Sequence, residues 1–337
     1  MRVSLINRLP IEGFYSIEGY FQRTTQSLKS LGVEITSHTS PYASQGLLKR
    51  LKIVRFASRH QSDITHISGD IHFAALGTDP SRTVVTVHDC GRLHQLSGIP
   101  REILRQVWFQ LPLRRVAAVT VISQAVKDDL LRWVPDLNPA RIHIVPVSIS
   151  SAFSFSAKPF NHQNPRILQV GTAPNKNIAR LAAALEGMDA TLVIIGRLNP
   201  DLEAVLDQHG IRYENHRNIS ELEVVELYRG ADLLAFVSTL EGFGMPILEA
   251  QAIGRPVVTS NCTSMPEVAG GAALLVDPYS VESIRAGLRQ VIEDGTYRDN
   301  LIARGRENIQ RFSSDAIAAQ YLSIYEALLK QHSMLRR

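Results

Sequence analysis

The sequence predicts an α/β protein built from two doubly wound domains. Short apolar runs alternate with helical patterns along the whole chain, which is typical of parallel sheets covered by helices. The 337 residues suffice for two domains of about 150 to 170 residues each. The charge balance differs between the halves: residues 1–150 carry 18 Lys/Arg against 11 Asp/Glu, whereas residues 151–337 carry 18 against 21. The basic first half is expected to face something anionic.

Apolar runs in the first half predict the first domain, residues 1–150. The predicted strands are residues 3–6, 64–67, 83–87 and 118–122, and the predicted helices include residues 19–31, 103–115 and 125–133. Residues 151–164 are rich in Ser, Phe, Pro and Asn, and they are predicted to form a linker.

A second series of the same kind predicts a second domain over residues 165–314. Its predicted strands are residues 166–170, 191–195, 233–237, 256–259 and 273–276, and its predicted helices include residues 178–185, 202–209, 220–230 and 281–293. The final segment, residues 315–337, is predicted to be a helix that crosses back to the first domain. Its apolar stripe needs a surface to cover, and the stripe consists of Ile317, Tyr321, Ile324, Tyr325 and Leu328.

Several classes of protein are disfavoured by composition. No run approaches the ~18 apolar residues of a transmembrane helix, and the start of the chain lacks the apolar region of a signal peptide. Cys90 and Cys262 match no metal spacing and are expected to be reduced thiols. We therefore expect a cytoplasmic protein without a bound metal or nucleic-acid partner.

The most informative segment runs from Ser238 to Gly254. A buried strand is followed by a glycine-bearing loop and a short helix, with Pro246 at its first position and Gly254 just past its end. The N–H groups at the start of such a helix attract anions, phosphates especially. Glu241 lies in the loop and Glu249 lies one turn into the helix. This arrangement suits a ligand with hydroxyls around a phosphate, such as a nucleotide sugar.

The same segment resembles the E-x7-E signature of the retaining family 4 glycosyltransferases. The resemblance continues through Arg255-Pro-Val-Val and through residues 265–278, and Leu168-Gln-Val-Gly-Thr-Ala-Pro-Asn-Lys176 resembles the first strand, loop and helix of the family's donor domain. In the first half, Thr86-Val-His88-Asp89 and residues 119–123 resemble strand ends of its acceptor domain.

The resemblance implies the GT-B fold, in which two Rossmann-like domains face a cleft and a C-terminal helix packs back toward the N-terminal domain. It also implies transfer of a hexose, with retention of configuration and without a metal, to a hydroxyl of a saccharide or lipid-linked acceptor. The donor would be a GDP- or UDP-linked sugar, with GDP-mannose slightly favoured, and the process would be polysaccharide or glycoconjugate assembly.

The resemblance also assigns donor-binding roles. Lys176 would neutralise the departing diphosphate; the alternative is a solvated lysine near a helix start, where the helix dipole disfavours it. Glu241 would face the donor sugar, and Glu249 would bind the ribose; otherwise Glu249 is a favourable first-turn charge worth ~0.3–1 kcal/mol. The remaining predicted donor contacts are Gly19, Gly171, Thr172, Arg197, Gly242, Phe243, Gly244 and Met245.

Three of these assignments depart from the family pattern. Thr172 and its neighbours occupy a loop where the family often has an arginine, and Arg197 is the candidate substitute, with a surface arginine as the alternative. Gly19 is expected to open a helix next to the diphosphate, where the family often has a Gly-Gly pair. The base is expected to contact the loop around residues 215–219, which lacks the family's usual glycine.

His88 and Asp89 are the candidates in the first half. His88 ends a predicted strand and would lie near the sugar and the acceptor, as a third catalytic residue beside Lys176 and Glu241. The alternative is a strand-end histidine satisfied by Asp89 or by backbone. Asp89 would orient the ring or contact the acceptor.

Residues 46–60 are basic and partly amphipathic. Lys52, Arg55 and Arg59 line one predicted helical face, and Leu47, Leu51 and Val54 line another. The segment could rest on an anionic membrane at the inner face, where a lipid-linked acceptor waits. A core helix with a solvated basic face is the slightly favoured alternative.

Other functions remain open at this point. They are a GT-B-fold sugar-nucleotide epimerase, a phosphorylase and a non-catalytic partner subunit. A dinucleotide oxidoreductase is disfavoured because no predicted strand is followed by Gly-x-Gly-x-x-Gly.

Overall fold

The computed structural model describes residues 1–10 and 16–335, and these form two compact units. Unit 1 comprises Met1–Ser148 and Phe312–Arg337, and unit 2 comprises Ile149–Arg311. Each unit contains one six-stranded sheet with helices on it. The predicted architecture of two doubly wound α/β domains is confirmed. None of the helices within residues 16–335 is long and apolar enough to cross a membrane.

The sheet of unit 1 is parallel throughout. Its strands are β1 (Arg2–Asn7), β2 (Glu34–Thr39), β3 (Ile64–Ile67), β4 (Thr83–Val87), β5 (Ala118–Val121) and β6 (Ile142–Ile144), in the order β2-β1-β3-β4-β5-β6. All residues of β3, β4 and β5 are buried, because helices cover both faces. The order reverses direction between β1 and β3, so the loops after these strands diverge there.

The helices of the first 148 residues depart from the predictions in two places. They are α1 (Ser16–Ser30), α2 (Gly46–Arg59), α3 (Gly91–Gln95), α4 (Gly98–Leu104), α5 (Leu111–Arg115) and α6 (Gln124–Trp133). The single helix predicted over residues 103–115 is interrupted by a π-helical segment, Arg105–Gln110. Pro112 has no N–H to donate to the Trp108 carbonyl, so the regular helical ladder cannot continue there. Helix α1 begins at Ser16, so Gly19 lies within it and does not open it.

Helix α2 buries a different face from the one predicted. Ile53 and Ala57 are fully buried. Leu47 and Leu51, predicted to share an apolar face with Val54, are 71% and 55% exposed. Helix α2 therefore packs on the core through Ile53 and Ala57, and it presents Leu47 and Leu51 to solvent.

Unit 2 has a parallel sheet of related topology. Its strands are β7 (Arg166–Val170), β8 (Thr191–Ile195), β9 (Tyr213–His216), β10 (Leu233–Phe236), β11 (Val257–Ser260) and β12 (Leu274–Val276), in the order β12-β11-β10-β7-β8-β9. Its helices are α7 (Ile178–Leu185), α8 (Pro200–Gln208), α9 (Glu221–Gly230), α10 (Met245–Ile253), α11 (Met265–Ala269), α12 (Val281–Glu293) and α13 (Gly295–Asn308). Here the direction reverses between β7 and β10.

Residues 151–164, predicted as a linker, contain no helix or strand and are fastened to unit 2. The buried carboxylate of Asp232 accepts hydrogen bonds from the Lys158 ammonium and from the Asn161 backbone N–H. The buried Arg255 guanidinium donates to the carbonyls of Ser156, Tyr228 and Arg229. Arg255 thereby satisfies backbone carbonyls at the end of α9, groups that a helix leaves without partners.

The final helix, α14 (Ser314–Leu335), belongs to unit 1 and packs against α1. The five residues of its predicted apolar stripe are all buried. The Tyr20 hydroxyl on α1 donates to the Tyr321 hydroxyl over 2.9 Å. The predicted stripe is therefore the face by which α14 joins unit 1.

Beneath α14 lies a buried polar network centred on His66. Its Nδ1 is 2.7 Å from the Tyr325 hydroxyl, and its Nε2 is 2.7 Å from the Thr86 hydroxyl, which in turn contacts Thr120. Burial and the neighbouring His88 lower the pKa of His66 to about 3. Because the unfolded chain would bind a proton at the usual pKa near 6.5, acid favours unfolding.

We predict that this histidine makes unit 1 acid-sensitive. The free energy of unfolding should reach its full value above about pH 6.5, the pKa of a histidine in the unfolded chain. It should fall as pH decreases, and each buried histidine of this kind should lower it by about 2 kcal/mol at pH 5. His66→Gln should lose correspondingly less stability between pH 7.5 and pH 5. Both tryptophans, Trp108 and Trp133, lie in unit 1, so urea unfolding followed by tryptophan fluorescence reports on this unit. Equal losses of stability between pH 7.5 and pH 5 in wild type and in His66→Gln would contradict the assignment.

Candidate functional site

The reversal point of the unit 2 sheet brings two loops together. β7 and β10 are neighbours, and the loops after them leave the carboxyl edge of the sheet side by side. Ligands of open α/β sheets bind outside this edge, at the point where the strand order reverses. The loop after β7 carries Lys176 and the loop after β10 carries Glu241, so topology brings these two predicted residues to one place.

Gly171 lets the Lys176 side chain lie close against the backbone of the loop after β7. Gly171 has a φ of +88°, and a Cβ there would lie 2.8 Å from Cε of Lys176. Lys176 ends a short 3-10 turn, Pro174–Lys176. Asn177 then adopts a left-handed conformation, with its amide donating to the carbonyls of Val237 and Pro278. These contacts fix the backbone on both sides of the lysine.

Lys176 and Glu241 form an ion pair. Nζ of Lys176 is 2.6 Å from Oε1 of Glu241, and the two side chains are 18% and 14% exposed. The ammonium also lies 4.6 Å from the centre of the Phe236 ring, a cation–π distance. The alternative interpretation of Lys176 as a solvated lysine does not apply, because its side chain is largely buried and paired with Glu241. Its predicted role toward the diphosphate stays a prediction.

The loop of Glu241 is held by side chains that the sequence patterns did not single out. The Asn175 amide donates to the Leu240 carbonyl over 2.8 Å. The buried Ser264 hydroxyl can donate to the carbonyls of Glu241 and Phe243, which lie 3.0 and 2.7 Å away. The sequence offered only their residue types as a signal, because Asn and Ser side chains readily form hydrogen bonds to backbone in turns.

Helix α10 begins directly after this loop. Gly244 precedes it with a φ of +107°, Pro246 lies in its first turn, and Gly254 ends it with a φ of +86°. The predicted glycine after the helix is confirmed, and the helix starts one residue earlier than predicted, at Met245, so Pro246 is its second residue. Helix geometry leaves the first N–H groups of α10 without intrahelical partners, on the side of the Glu241 loop.

Glu249 is the fifth residue of α10 and so lies beyond the first turn. Its Oε2 accepts a hydrogen bond of 2.6 Å from the Tyr228 hydroxyl on α9. Burial, reinforced by this carboxylate, raises the pKa of Tyr228 well above its ordinary value. The alternative interpretation as a first-turn charge does not apply. The predicted hydrogen bonds between Glu249 and the hydroxyls of a ribose stay a prediction.

Thr172 and Arg197 lie in neighbouring loops at the same sheet edge. The Thr172 hydroxyl donates to the Arg197 carbonyl over 2.7 Å, while the Arg197 side chain is exposed. Asn215, expected in a base-binding loop, lies in strand β9 instead, and its amide donates to the Gly196 carbonyl over 2.7 Å. The loop proper starts at Arg217.

His88 belongs to unit 1, at the end of β4. It is 9% exposed, and its Nε2 lies 2.7 Å from the Ser68 carbonyl. Nε2 must carry the proton because a carbonyl only accepts, so Nδ1 is left as the acceptor. Burial lowers the pKa of His88. Gly69, with a φ of +131°, makes room for the ring, since a Cβ there would lie 2.5 Å from it.

Asp89 does not orient the His88 ring, and its predicted contact with the acceptor stays a prediction. Oδ1 of the exposed Asp89 accepts from the Gly91 N–H over 2.8 Å, while the Ser68 carbonyl orients His88. At Gly19 a Cβ would meet only the far end of Arg23, at 3.4 Å. Packing does not require glycine there, and its predicted approach to a diphosphate stays a prediction.

These sites belong to a known class of two-domain proteins. Residues 151–308 match the family described as glycosyl transferases group 1, and residues 23–152 match glycosyltransferase family 4. The chain belongs to this family of glycosyltransferases.

Among curated proteins, the chain is similar to two mannosyltransferases. It is 39% identical over 118 residues to O-antigen chain mannosyltransferase B of Escherichia coli, a match that covers 35% of this chain and 30% of that protein. It is 28% identical over 227 residues to MMP alpha-(1->4)-mannosyltransferase of Mycolicibacterium hassiacum, covering 63% and 54%. The matched region thus spans about a third to a half of these relatives.

Solved structures share the fold at low sequence identity. Sucrose-phosphate synthase from Thermosynechococcus elongatus superposes with a TM-score of 0.77 at 17% identity, covering 98% of this chain and 99% of that one. Anabaena HepE in complex with UDP and glucose gives 0.76 at 17% identity, covering 97% and 100%. Likeness at this identity establishes the GT-B fold.

We predict that Gly171→Ala disturbs unit 2 more than a matched glycine substitution does. Alanine at positive φ costs about 1–2 kcal/mol at either position, but only at Gly171 must the Lys176 stem also move. Gly187 is the control, because it has a φ of +73° and a Cβ there would meet nothing within 4 Å. Calorimetric unfolding should show Gly171→Ala to be less stable than Gly187→Ala by a further ~1 kcal/mol. Equal stabilities would contradict the packing argument.

Proposed function

We propose that the protein is a retaining glycosyltransferase that takes a hexose from a nucleoside diphosphate sugar. The observation that carries the proposal is the Lys176–Glu241 ion pair, at the sheet edge where the strand order reverses and beside the start of α10. A cation, a carboxylate and helix N–H groups at one point suit a phosphate-bearing, hydroxyl-rich ligand.

Lys176 and the start of α10 would stabilise the leaving diphosphate. An ammonium has three donors, so Lys176 can keep its bond to Glu241 and still donate to a phosphate oxygen. The two positive groups would supply charge stabilisation that other transferases obtain from a metal ion. Thr172 and Arg197, in the adjoining loops, would contribute near the phosphate or the base.

The two glutamates would bind different parts of the donor. Glu241 would accept hydrogen bonds from hydroxyls of the transferred sugar, and Glu249, on α10, would accept them from the ribose. The backbone from Gly242 to Met245 would contact the sugar and the phosphate. Hydrogen bonds to charged acceptors are worth ~1.5–3 kcal/mol each, so the two carboxylates would fix the orientation of the donor.

The proposed reaction forms and breaks its bonds on one face of the sugar. The bond from the anomeric carbon to the β-phosphate oxygen breaks, the bond from that carbon to the acceptor oxygen forms, and the acceptor proton moves to the departing phosphate. His88, neutral and with Nδ1 as acceptor, would hydrogen-bond the sugar or the acceptor, and Asp89 would bind the acceptor. Gly19 would allow the diphosphate to approach α1.

The names of the similar proteins favour a mannosyl donor. Two of the relatives are called mannosyltransferases, which supports GDP-mannose over UDP-linked hexoses. The acceptor would be a saccharide hydroxyl, free or lipid-linked, in the assembly of a polysaccharide or glycoconjugate on the cytoplasmic side.

We predict that Glu241→Ala removes most transfer while leaving the fold intact. Loss of one preorganised polar group at a reacting centre lowers kcat by about 10²–10³-fold. The measurement is release of nucleoside diphosphate from GDP-mannose, together with the thermal unfolding midpoint. The control is Glu226→Ala, an exposed glutamate of the same unit that pairs with its neighbour Arg229.

Two outcomes would contradict the proposal. Unchanged turnover in Glu241→Ala would remove that residue from the reaction. A wild-type protein that no nucleoside diphosphate or nucleotide sugar stabilises in a thermal-shift screen would remove the function itself.

Helix α2 supports a second part of the proposal, peripheral contact with an anionic membrane through residues 46–60. Leu47, Leu48 and Leu51 are between 55% and 75% exposed. The helix carries five Lys/Arg and no acidic residue. Apolar side chains together with basic ones favour the boundary of an anionic bilayer, and this placement would serve a lipid-linked acceptor.

We predict that wild-type protein floats with phosphatidylcholine vesicles that contain phosphatidylglycerol, and that salt weakens this binding. Replacing the three leucines by serine should abolish flotation. Leu222→Ser is the matched control, because Leu222 is 73% exposed on unit 2. Absence of wild-type protein from anionic vesicles would contradict the membrane contact.

A further inference from the structure

The two carboxylate oxygens of Glu241 are used unequally. Within residues 1–10 and 16–335, both side chains that donate to the carboxylate reach Oε1: Nζ of Lys176 is 2.6 Å from it, and Nδ2 of Asn175 is 3.4 Å from it. Oε2 accepts no hydrogen bond from this part of the chain. An ionised carboxylate only accepts hydrogen bonds. Oε2 is therefore the oxygen that can accept from a hydroxyl of a ligand.

The backbone of Glu241 is held by the loop that follows β11. The Glu241 N–H donates to the Thr263 hydroxyl oxygen over 3.4 Å, and the Ser264 hydroxyl lies 3.0 Å from the Glu241 carbonyl. Thr263 has a left-handed φ of 55°, which is costly for a β-branched residue. Because both peptide groups of Glu241 are held, the direction of Oε2 is decided by the side-chain torsions.

Lys176 does not decide those torsions by itself. Its ammonium is a compact charge at the end of a flexible stem, so it attracts either oxygen of a carboxylate to a similar degree. An ion pair with Lys176 could therefore form through Oε1 or through Oε2 of Glu241. A second, more directional contact is needed to leave one particular oxygen open.

The Asn175 amide supplies that directional contact. Its nitrogen lies 2.8 Å from the Leu240 carbonyl, and a carbonyl only accepts, so this contact determines which end of the amide is the donor. The second N–H of the same nitrogen is then available for Oε1 of Glu241. One planar NH₂ group thus spans the Leu240 carbonyl and the carboxylate of the next residue.

The loops on either side of this contact are also joined by backbone. The Thr239 N–H donates to the Asn175 carbonyl over 2.8 Å. The Lys176 N–H donates to the Ala173 carbonyl over 2.8 Å, within the 3-10 turn. These bonds do not require a particular side chain at position 175. A substitution there can therefore remove the contact to Glu241 while the two loops stay connected.

We propose that Asn175 is a positioning residue. Together with Lys176 it holds Oε1 of Glu241, so that Oε2 faces the hydroxyls of the transferred sugar. This inference rests on the proposed function, in which Glu241 binds that sugar. It assigns to Asn175 an effect on the sugar part of the donor and none on the nucleotide part.

The test compares a nucleoside diphosphate with its sugar conjugate. Calorimetry gives the dissociation constants of GDP and GDP-mannose, with UDP and UDP-glucose titrated in parallel, for wild type, Asn175→Ala and Asn175→Leu. In Asn175→Ala the nucleotide sugar should bind about three- to tenfold more weakly relative to its diphosphate, as expected for one lost hydrogen bond. The affinity for the diphosphate alone should change by less than about twofold.

Asn175→Leu separates hydrogen bonding from packing. Leucine keeps about the same side-chain volume but donates no hydrogen bond, so its loss should equal that of Asn175→Ala. A residue needed only to fill space would be rescued by leucine. A residue needed only to hold the loop would weaken diphosphate and nucleotide sugar alike. The matched control is Asn300→Ala, at an exposed position of α13 in the same unit, which should change neither affinity.

A double-mutant cycle tests whether Asn175 acts through Glu241. In a Glu241→Ala background, Asn175→Ala should cause no further change in the ratio of the two dissociation constants. Additive losses would overturn the proposal, as would an unchanged ratio in Asn175→Ala or full affinity for the nucleotide sugar in Asn175→Leu. Failure of the proposed function would look different, because the wild-type protein would then bind neither diphosphate.

Discussion

The ion pair between Lys176 and Glu241 constrains the rest of the unit 2 site. Both side chains are largely buried, and a buried charge without its partner costs several kcal/mol, so each loop must deliver its charge to the same point. Gly171 leaves space for the lysine stem, and Asn177 fixes the turn behind it. Ser264 holds the backbone on both sides of Gly242. Gly171 and the Ser264 hydroxyl therefore both support the contact between Lys176 and Glu241.

Both units place polar side chains at the point where the strand order of the sheet reverses, but the side chains differ between the units. Each sheet reverses its strand order once, and each reversal collects polar side chains at the carboxyl edge. In unit 2 that edge holds a cation next to a helix start, which favours an anion. In unit 1 it holds the Arg8 guanidinium, which is paired with Glu18 and with Asp70.

The sequence allowed the central strands and one edge strand, β12, to be predicted, but not the other three edge strands. Strands such as β4 and β10 are buried on both faces and appear as continuous apolar runs. The strands that the patterns miss, β2, β6 and β9, lie at sheet edges and carry exposed polar residues, so that signal is absent. For the site, spacing and resemblance led to Lys176, Glu241 and Glu249. They did not reveal that Lys176 pairs with Glu241, because this contact depends on two loops 65 residues apart.

The ion pair also explains how the Lys176 ammonium can stay charged and largely buried when no anionic ligand is bound. An isolated, desolvated ammonium would lose its proton or attract a counter-ion. Glu241 supplies that counter-charge permanently, and a lysine, unlike a rigid arginine fork, can redirect its remaining N–H groups toward a second acceptor without giving up the first. Glu241 therefore holds the ammonium in position, and the ammonium would need little rearrangement to meet the phosphate of the proposed donor. If the Glu241 carboxylate binds the transferred sugar, Lys176 also fixes where that sugar must lie. The positions of the leaving phosphate and of the reacting carbon would then both be set by a single contact of 2.6 Å.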